Sequence, residues 1–245
     1  GGGSRTRQLT IEADNAGFCA WVNSDDPKAV ALRSWLRPGL VVYGEWLVPH
    51  QNGLPYSQKA PLLYWLIHAG WWVGGVSDVW PRILELLLST ANLALVAMLA
   101  RQLFPQRALV ARLAPWVLAG LLYYFLYSLQ IMFDLLVTAC TLLSLLGLTR
   151  RDSRGAVAPN WWLVSLALWL GLLTKGPVAL LHVAFPLLLG PLWADSARTA
   201  TARWYARVAI SVLAALALFA LWVVPVAILG GDAYRQDLLI AQTAG

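Results

Sequence analysis

Residues 56–67 read YSQKAPLLYWLI, a glutamine, a lysine and a proline at the mouth of an apolar helix. Whether this segment crosses a membrane decides the side on which every later loop falls. The composition makes a membrane the right setting. AVILMFWYC residues make up 59% of the chain and charged residues 12%, with a mean hydropathy of +0.63. Soluble domains run at roughly 45–50% apolar and about 25% charged.

Seven apolar runs follow the polar residues 1–60, at about 61–76, 83–100, 113–128, 131–149, 161–173, 177–193 and 208–229. A crossing takes roughly 17–25 residues. Arg101, Arg107 and Arg112 fall in one connection, Arg150, Arg151 and Arg154 in a second, and Arg198, Arg203 and Arg207 in a third. Basic loops stay cytoplasmic. The alternation is satisfied by the last six runs as crossings, which leaves no room for 61–76 as a seventh. That segment is therefore expected to lie at the outer interface, where Tyr64, Trp65, Trp71 and Trp72 are favoured residue types.

The expected architecture is all-α and polytopic, with about six transmembrane helices and an outer-face juxtamembrane helical segment. In order, residues 1–60 form an outer loop, 61–81 the juxtamembrane helix, 82–229 the helix bundle and 230–245 the start of another outer loop. The chain reads as a fragment, opening GGGSRT without a methionine and stopping at LLIAQTAG.

The net charge of +6 is spread over loops and forms no dense stripe, so no nucleic-acid partner is expected. Cys19 and Cys140 lie far apart and define neither a disulfide framework nor a zinc site. There is no Gly-rich phosphate loop, and no soluble cofactor is expected.

The outer face collects Asp25, Asp26, His50, Gln58, Lys59, Asp78, Arg82, Asp134, Lys175, Asp232 and Asp237. Asp134 in LQIMFDLLVTA and Lys175 in GLLTKGPVALL stand out, because an ionisable residue costs at least ~2.5 kcal/mol at the centre of a span and usually marks a pathway or a site. Each candidate also has a plain structural reading. Lys59 can snorkel, Lys175 can cap exposed carbonyls, and Asp134 can answer a helix dipole. Arg82 can pair with Asp78 or bind phosphate. Asp25 and Asp26 sit in a turn or helix-start signature before Pro27, and His50 lies in a turn.

The order of four segments goes further. GEWLVPHQNGLPYSQKAPLLYWL, WPRILELLLSTANLALVAMLARQLF, IMFDLLVTACTLLSLLGL and LTKGPVALL together resemble bacterial polyprenyl-phosphate-dependent glycosyltransferases of the aminoarabinose-transferase (ArnT) and protein-mannosyltransferase superfamily. The resemblance runs from about residue 44 onward. It implies the C-type glycosyltransferase fold and transfer of one sugar from a polyprenyl-phosphate donor to an acceptor, unidentified from sequence, at the outer, periplasmic face of the bacterial inner membrane. Lys59 matches the family lysine associated with the donor phosphate and Lys175 the lysine of the family's second motif; both, with Arg82, are the candidates for holding that phosphate. Asp25 or Asp26 would supply the general base, with Asp134 a further catalytic candidate and His50 and Gln58 further site candidates. Gln58 stands where many relatives carry an acidic residue linked to a divalent metal, which counts against a metal here. The competing readings are a polytopic transporter with a charged outer vestibule and a non-catalytic membrane scaffold.

Overall fold

The computed structural model describes His50–Gln51, Leu54–Pro55, residues 60–75, Ser77, residues 79–128 and residues 130–229. A short antiparallel pair, β1 (His50–Gln51) and β2 (Leu54–Pro55), precedes ten helices among the described residues.

Helix α1 (Leu62–Gly74) has 13 residues, roughly 20 Å at 1.5 Å per residue. The hydrocarbon core is about 30 Å thick, so α1 alone is too short to span it. Helix α2 (Val79–Leu103) has 25 residues and is long and apolar enough to cross. Pro81 sits in its first turn, where a missing N–H removes no helix bond, and Arg101 lies in its last turn, favourable to the helix dipole.

The run expected as one crossing at 113–128 is broken. Helices α3 (Ala108–Ala119) and α4 (Leu122–Ser128) meet at Gly120 and Leu121 with a bend of 67°. The Gly120 N–H turns back to the Trp116 and Leu118 carbonyls and closes the first helix.

Helix α5 (Phe133–Leu148) is the centre of the bundle, in contact with α2, with α6 (Trp161–Lys175) and with α7 (Val178–Leu188). It buries Leu135, Leu136, Val137, Ala139, Cys140, Leu142, Ser144, Leu146, Gly147 and Leu148. Apolar contact nearly all round is what a helix enclosed by neighbours requires. Small residues allow the approach: a Cβ on Gly171 would stand 3.1 Å from that of Ala179, and one on Gly147 would stand 3.1 Å from the Val164 side chain.

The α5–α6 connection is stiffened by Asp152, whose Oδ1 accepts the N–H groups of Arg154 and Ala156, and Asn160 caps α6 through the Leu163 N–H. Helix α6 ends at Lys175 and turns at Gly176, whose φ of 62° favours glycine. Pro177 then leads into α7. The run expected as a crossing at 177–193 holds α7 and the short helix α8 (Gly190–Trp193). A further short helix, α9 (Asp195–Thr199), precedes α10 (Thr201–Leu229), which packs along α6.

By length and composition α2 and α10 can each cross a membrane, and the bent α3–α4 pair can form a third crossing; α5, α6 and α7 are shorter apolar helices. Large apolar side chains such as Trp116, Phe185, Leu221 and Ile228 face outward, the surface that a lipid environment accepts.

Trp204 locks the α7–α10 corner. It is buried, its Nε1–H donates to the Leu187 carbonyl at 2.9 Å, and its ring meets Trp161 and Trp193 edge-on. Gly190 lies directly against this indole, with no room for a Cβ. We expect Gly190→Ala to destabilise the fold by about 1–3 kcal/mol through overpacking. Gly74→Ala, with nothing within 4 Å of its new methyl group, should leave stability nearly unchanged. Thermal unfolding of both variants in detergent measures the difference.

Candidate functional site

Helices α5 and α6 run antiparallel, so the start of one meets the end of the other. There the Lys175 Nζ lies 2.7 Å from the Asp134 Oδ1. Asp134 occupies the first turn of α5 and Lys175 the last turn of α6. Each charge therefore sits at the helix end whose dipole favours it. The side chains remain 28% exposed for lysine and 46% for aspartate, so the pair is held yet open to a ligand.

An ammonium carries three donors, and the Asp134 contact uses one of them. The others can address the oxygens of an anion. The charged pair thus combines a fixed positive charge with spare donor capacity, a suitable arrangement for a phosphate group.

The opposite end of the bundle is different. The Gln102 Nε2 donates to the Leu146 carbonyl and to the Thr149 Oγ1, each at 2.8 Å, and the Arg151 Nε donates to the Gln102 carbonyl at 3.2 Å. These bonds gather Arg101, Arg150 and Arg151 around the far end of α5. Leu148, the last residue of α5, stands roughly 21 Å along the helix from Asp134 at 1.5 Å per residue. Two of the arginine-bearing connections therefore share one end, and the Lys175–Asp134 pair occupies the other.

The remaining sequence candidates are distributed as follows. Arg82 is exposed on the first turn of α2 and joins no ion pair among the described residues. Asp25, Asp26, Gln58, Lys59 and Asp78 lie outside the described residues, and His50 is described only as a backbone position in β1. Among the described residues no three His, Cys, Asp or Glu side chains converge as metal ligands, and the Asp134 charge is already answered by Lys175. On α1, burial pushes the His68 imidazole down to about 4, so it adds no charge to this end at neutral pH.

One residue of this end carried no motif. Glu85, among the leucines of RILELLL, is 2% exposed, and its Oε1 accepts the Met132 N–H at 3.3 Å. The available signal was an acidic residue within an apolar run.

Taken together, these features define an all-α, polytopic membrane protein with a charged site at one end of its bundle. Residues 58–227 match the family described as dolichyl-phosphate-mannose-protein mannosyltransferase, and the chain belongs to that family. It is 31% identical over 185 residues to the undecaprenyl phosphate-alpha-4-amino-4-deoxy-L-arabinose arabinosyl transferase of Erwinia tasmaniensis, covering 67% of this chain and 33% of the relative. The Pseudomonas aeruginosa protein of the same name is 30% identical over 204 residues, covering 80% of this chain and 35% of the relative. The chain thus spans about a third of the length of these curated relatives. A crystal structure of ArnT from Cupriavidus metallidurans in the apo state aligns with a TM-score of 0.66 at 20% identity, over 85% of this chain and 37% of that one. At that identity the likeness bears on the fold alone.

The Lys175–Asp134 contact should register as non-additivity. In a double-mutant cycle of Lys175→Ala and Asp134→Ala, read by unfolding in detergent, we expect a coupling of about 0.5–1 kcal/mol, the upper range for a partly exposed pair. The coupling should shrink as salt rises.

Proposed function

We propose that the chain is the donor-binding part of a membrane glycosyltransferase that takes a sugar from a polyprenyl-phosphate donor at the periplasmic face of a bacterial inner membrane. The observation that carries this reading is the Lys175–Asp134 pair, half-open at the end of the bundle away from the Gln102–Arg151 contacts. Its setting inside the matched family region adds to it, as do the names of the relatives, which are transferases of an undecaprenyl phosphate-linked arabinose.

In the proposed reaction an acceptor hydroxyl attacks the anomeric carbon of the sugar. Its proton passes to a carboxylate, Asp25 or Asp26. The bond from the anomeric carbon to the phosphate oxygen breaks as the new glycosidic bond forms, and the polyprenyl phosphate leaves with the electron pair. Negative charge grows on that phosphate, and fixed cations aimed at it lower the barrier. Lys175 and Lys59 take this role, with Arg82 as a third cation at the start of α2. Asp134 orients the Lys175 ammonium. Gln58 and His50 are further candidates for the same site.

Binding of undecaprenyl phosphate to the purified chain in detergent tests this reading, with undecaprenol as the phosphate-free control. We expect Lys59→Ala and Lys175→Ala each to weaken binding by roughly tenfold, the loss of a charge-assisted contact. Equal binding of undecaprenol, or unchanged affinity in both variants, would sink the assignment.

A further inference from the structure

One face of α2 is polar and buried where leucine would be expected. Glu85 and Asn92 are 2% and 0% exposed, and seven residues along a helix is about two turns, so both address the same neighbour. A buried polar group is costly unless it finds a partner. Each pairs one atom with the backbone at the start of α5, while the Glu85 Oε2 and the Asn92 Oδ1 have no hydrogen-bond partner among the described residues.

The Glu85 Oε1 accepts the N–H of Met132 at 3.3 Å, and the Asn92 Nδ2 donates to the carbonyl of Leu135 at 2.9 Å. These two anchored residues bracket Asp134. Met132 is the cap position of α5, and its own side chain makes no capping bond. A carboxyl group from the neighbouring helix fills that role, taking one of the orphan N–H groups. Between the two anchors, the Ser89 carbonyl accepts the Tyr124 hydroxyl at 2.7 Å, which ties α4 to the same face.

We propose that Glu85 and Asn92 are positioning residues, a two-point clamp from α2 that sets where the Asp134 carboxylate stands and thereby holds the Lys175 ammonium. The clamp gives the donor site a geometry independent of the exposed ends of its own helices. The proposal rests on the Lys175–Asp134 pair belonging to the donor site, yet the clamp can be tested without any donor. Polar groups serving only as glue between helices would affect stability and leave the surroundings of Lys175 alone.

The readout is the acylation rate of Lys175 by a water-soluble amine-reactive ester, mapped by mass spectrometry against Lys28 in the same chain, with melting temperature measured alongside. Asp134→Asn sets the scale for a released ammonium. Glu85→Gln keeps an acceptor oxygen at the same reach and should stay within about twofold of the parent. Glu85→Asp keeps the carboxyl group but is one methylene short, and Asn92→Leu removes the donor. Both should shift Lys175 acylation roughly threefold or more, in the direction of Asp134→Asn.

The clamp is overturned if Glu85→Asp and Asn92→Leu leave the rate at the parent value while Asp134→Asn moves it, whatever happens to the melting temperature. It is also overturned if Glu85→Gln behaves like Glu85→Asp, since the hydrogen bond would then not be what acts. Should Asn92→Leu fail to fold, the Gln and Asp variants at position 85 decide alone. Undecaprenyl phosphate binding by Glu85→Asp separates the two claims. A shifted rate with unchanged binding keeps the clamp and removes the pair from the donor site, and an unshifted rate removes the clamp.

Discussion

The contact between Lys175 and Asp134 imposes the constraint from which the site end of the bundle follows. Two opposite charges in a largely apolar chain must lie close enough to answer one another and near enough to water to avoid full desolvation. Antiparallel α5 and α6 meet both demands by placing the pair at their shared end. The turn beyond it then has to be tight, since α7 must return against α5 and α6 at once. Gly176 in its left-handed conformation and Pro177 at the entry to α7 supply that turn. The segment LTKGP is thus a charge placement and a chain reversal in the same few residues.

Much of this architecture was legible in the sequence because a membrane simplifies the code. Apolar runs and arginine-bearing connections follow from transfer free energy and loop charge, and each observed long helix lies within or around an expected run. The broken helix was less legible. In an apolar stretch such as 113–128 no hydrophobic period separates a straight span from two helices meeting at Gly120, because lipid accepts either surface. Asp134 and Lys175 were visible as isolated charges, but their pairing across 41 residues of chain needed the fold. Glu85 and Asn92 were harder still. Each is a lone polar residue in an apolar run, and their partners are backbone groups of another helix, which no side-chain motif encodes.

The two ends of the bundle have opposite electrostatic tasks. At the arginine end, side chains such as Arg151 are spent on carbonyls and turns, and the exposed guanidinium groups suit an anionic leaflet surface. At the other end the Lys175 ammonium is paired and partly enclosed. An anion at that end would meet a fixed ammonium with donors to spare. Fixed charge of this kind is useful to a reaction because its reorganisation has been completed before the ligand arrives. Helix α1 packs against α2 and α6 beside the same end, and its short length and aromatic residues fit a membrane boundary.

A buried carboxyl group and carboxamide on α2 are a poor choice for stability alone. Apolar residues of similar volume often serve a helix interface as well or better, and buried polar contacts are better attested as devices that select one register among several. An all-leucine contact between α2 and α5 would tolerate a slip of one turn with little loss, because lipid-like surfaces interlock in several ways. A carboxyl group that must meet the Met132 N–H and a carboxamide that must meet the Leu135 carbonyl allow one register, since a slip strands both groups unpaired. Register matters most at Asp134, where displacement along the helix by one turn, about 5.4 Å, would carry the carboxylate away from Lys175. The polar residues are therefore best understood as a trade of interface stability for the definition of one charged contact. The helix that performs this service also begins with Arg82, so a single rigid rod carries both the candidate third cation and the anchors of the first.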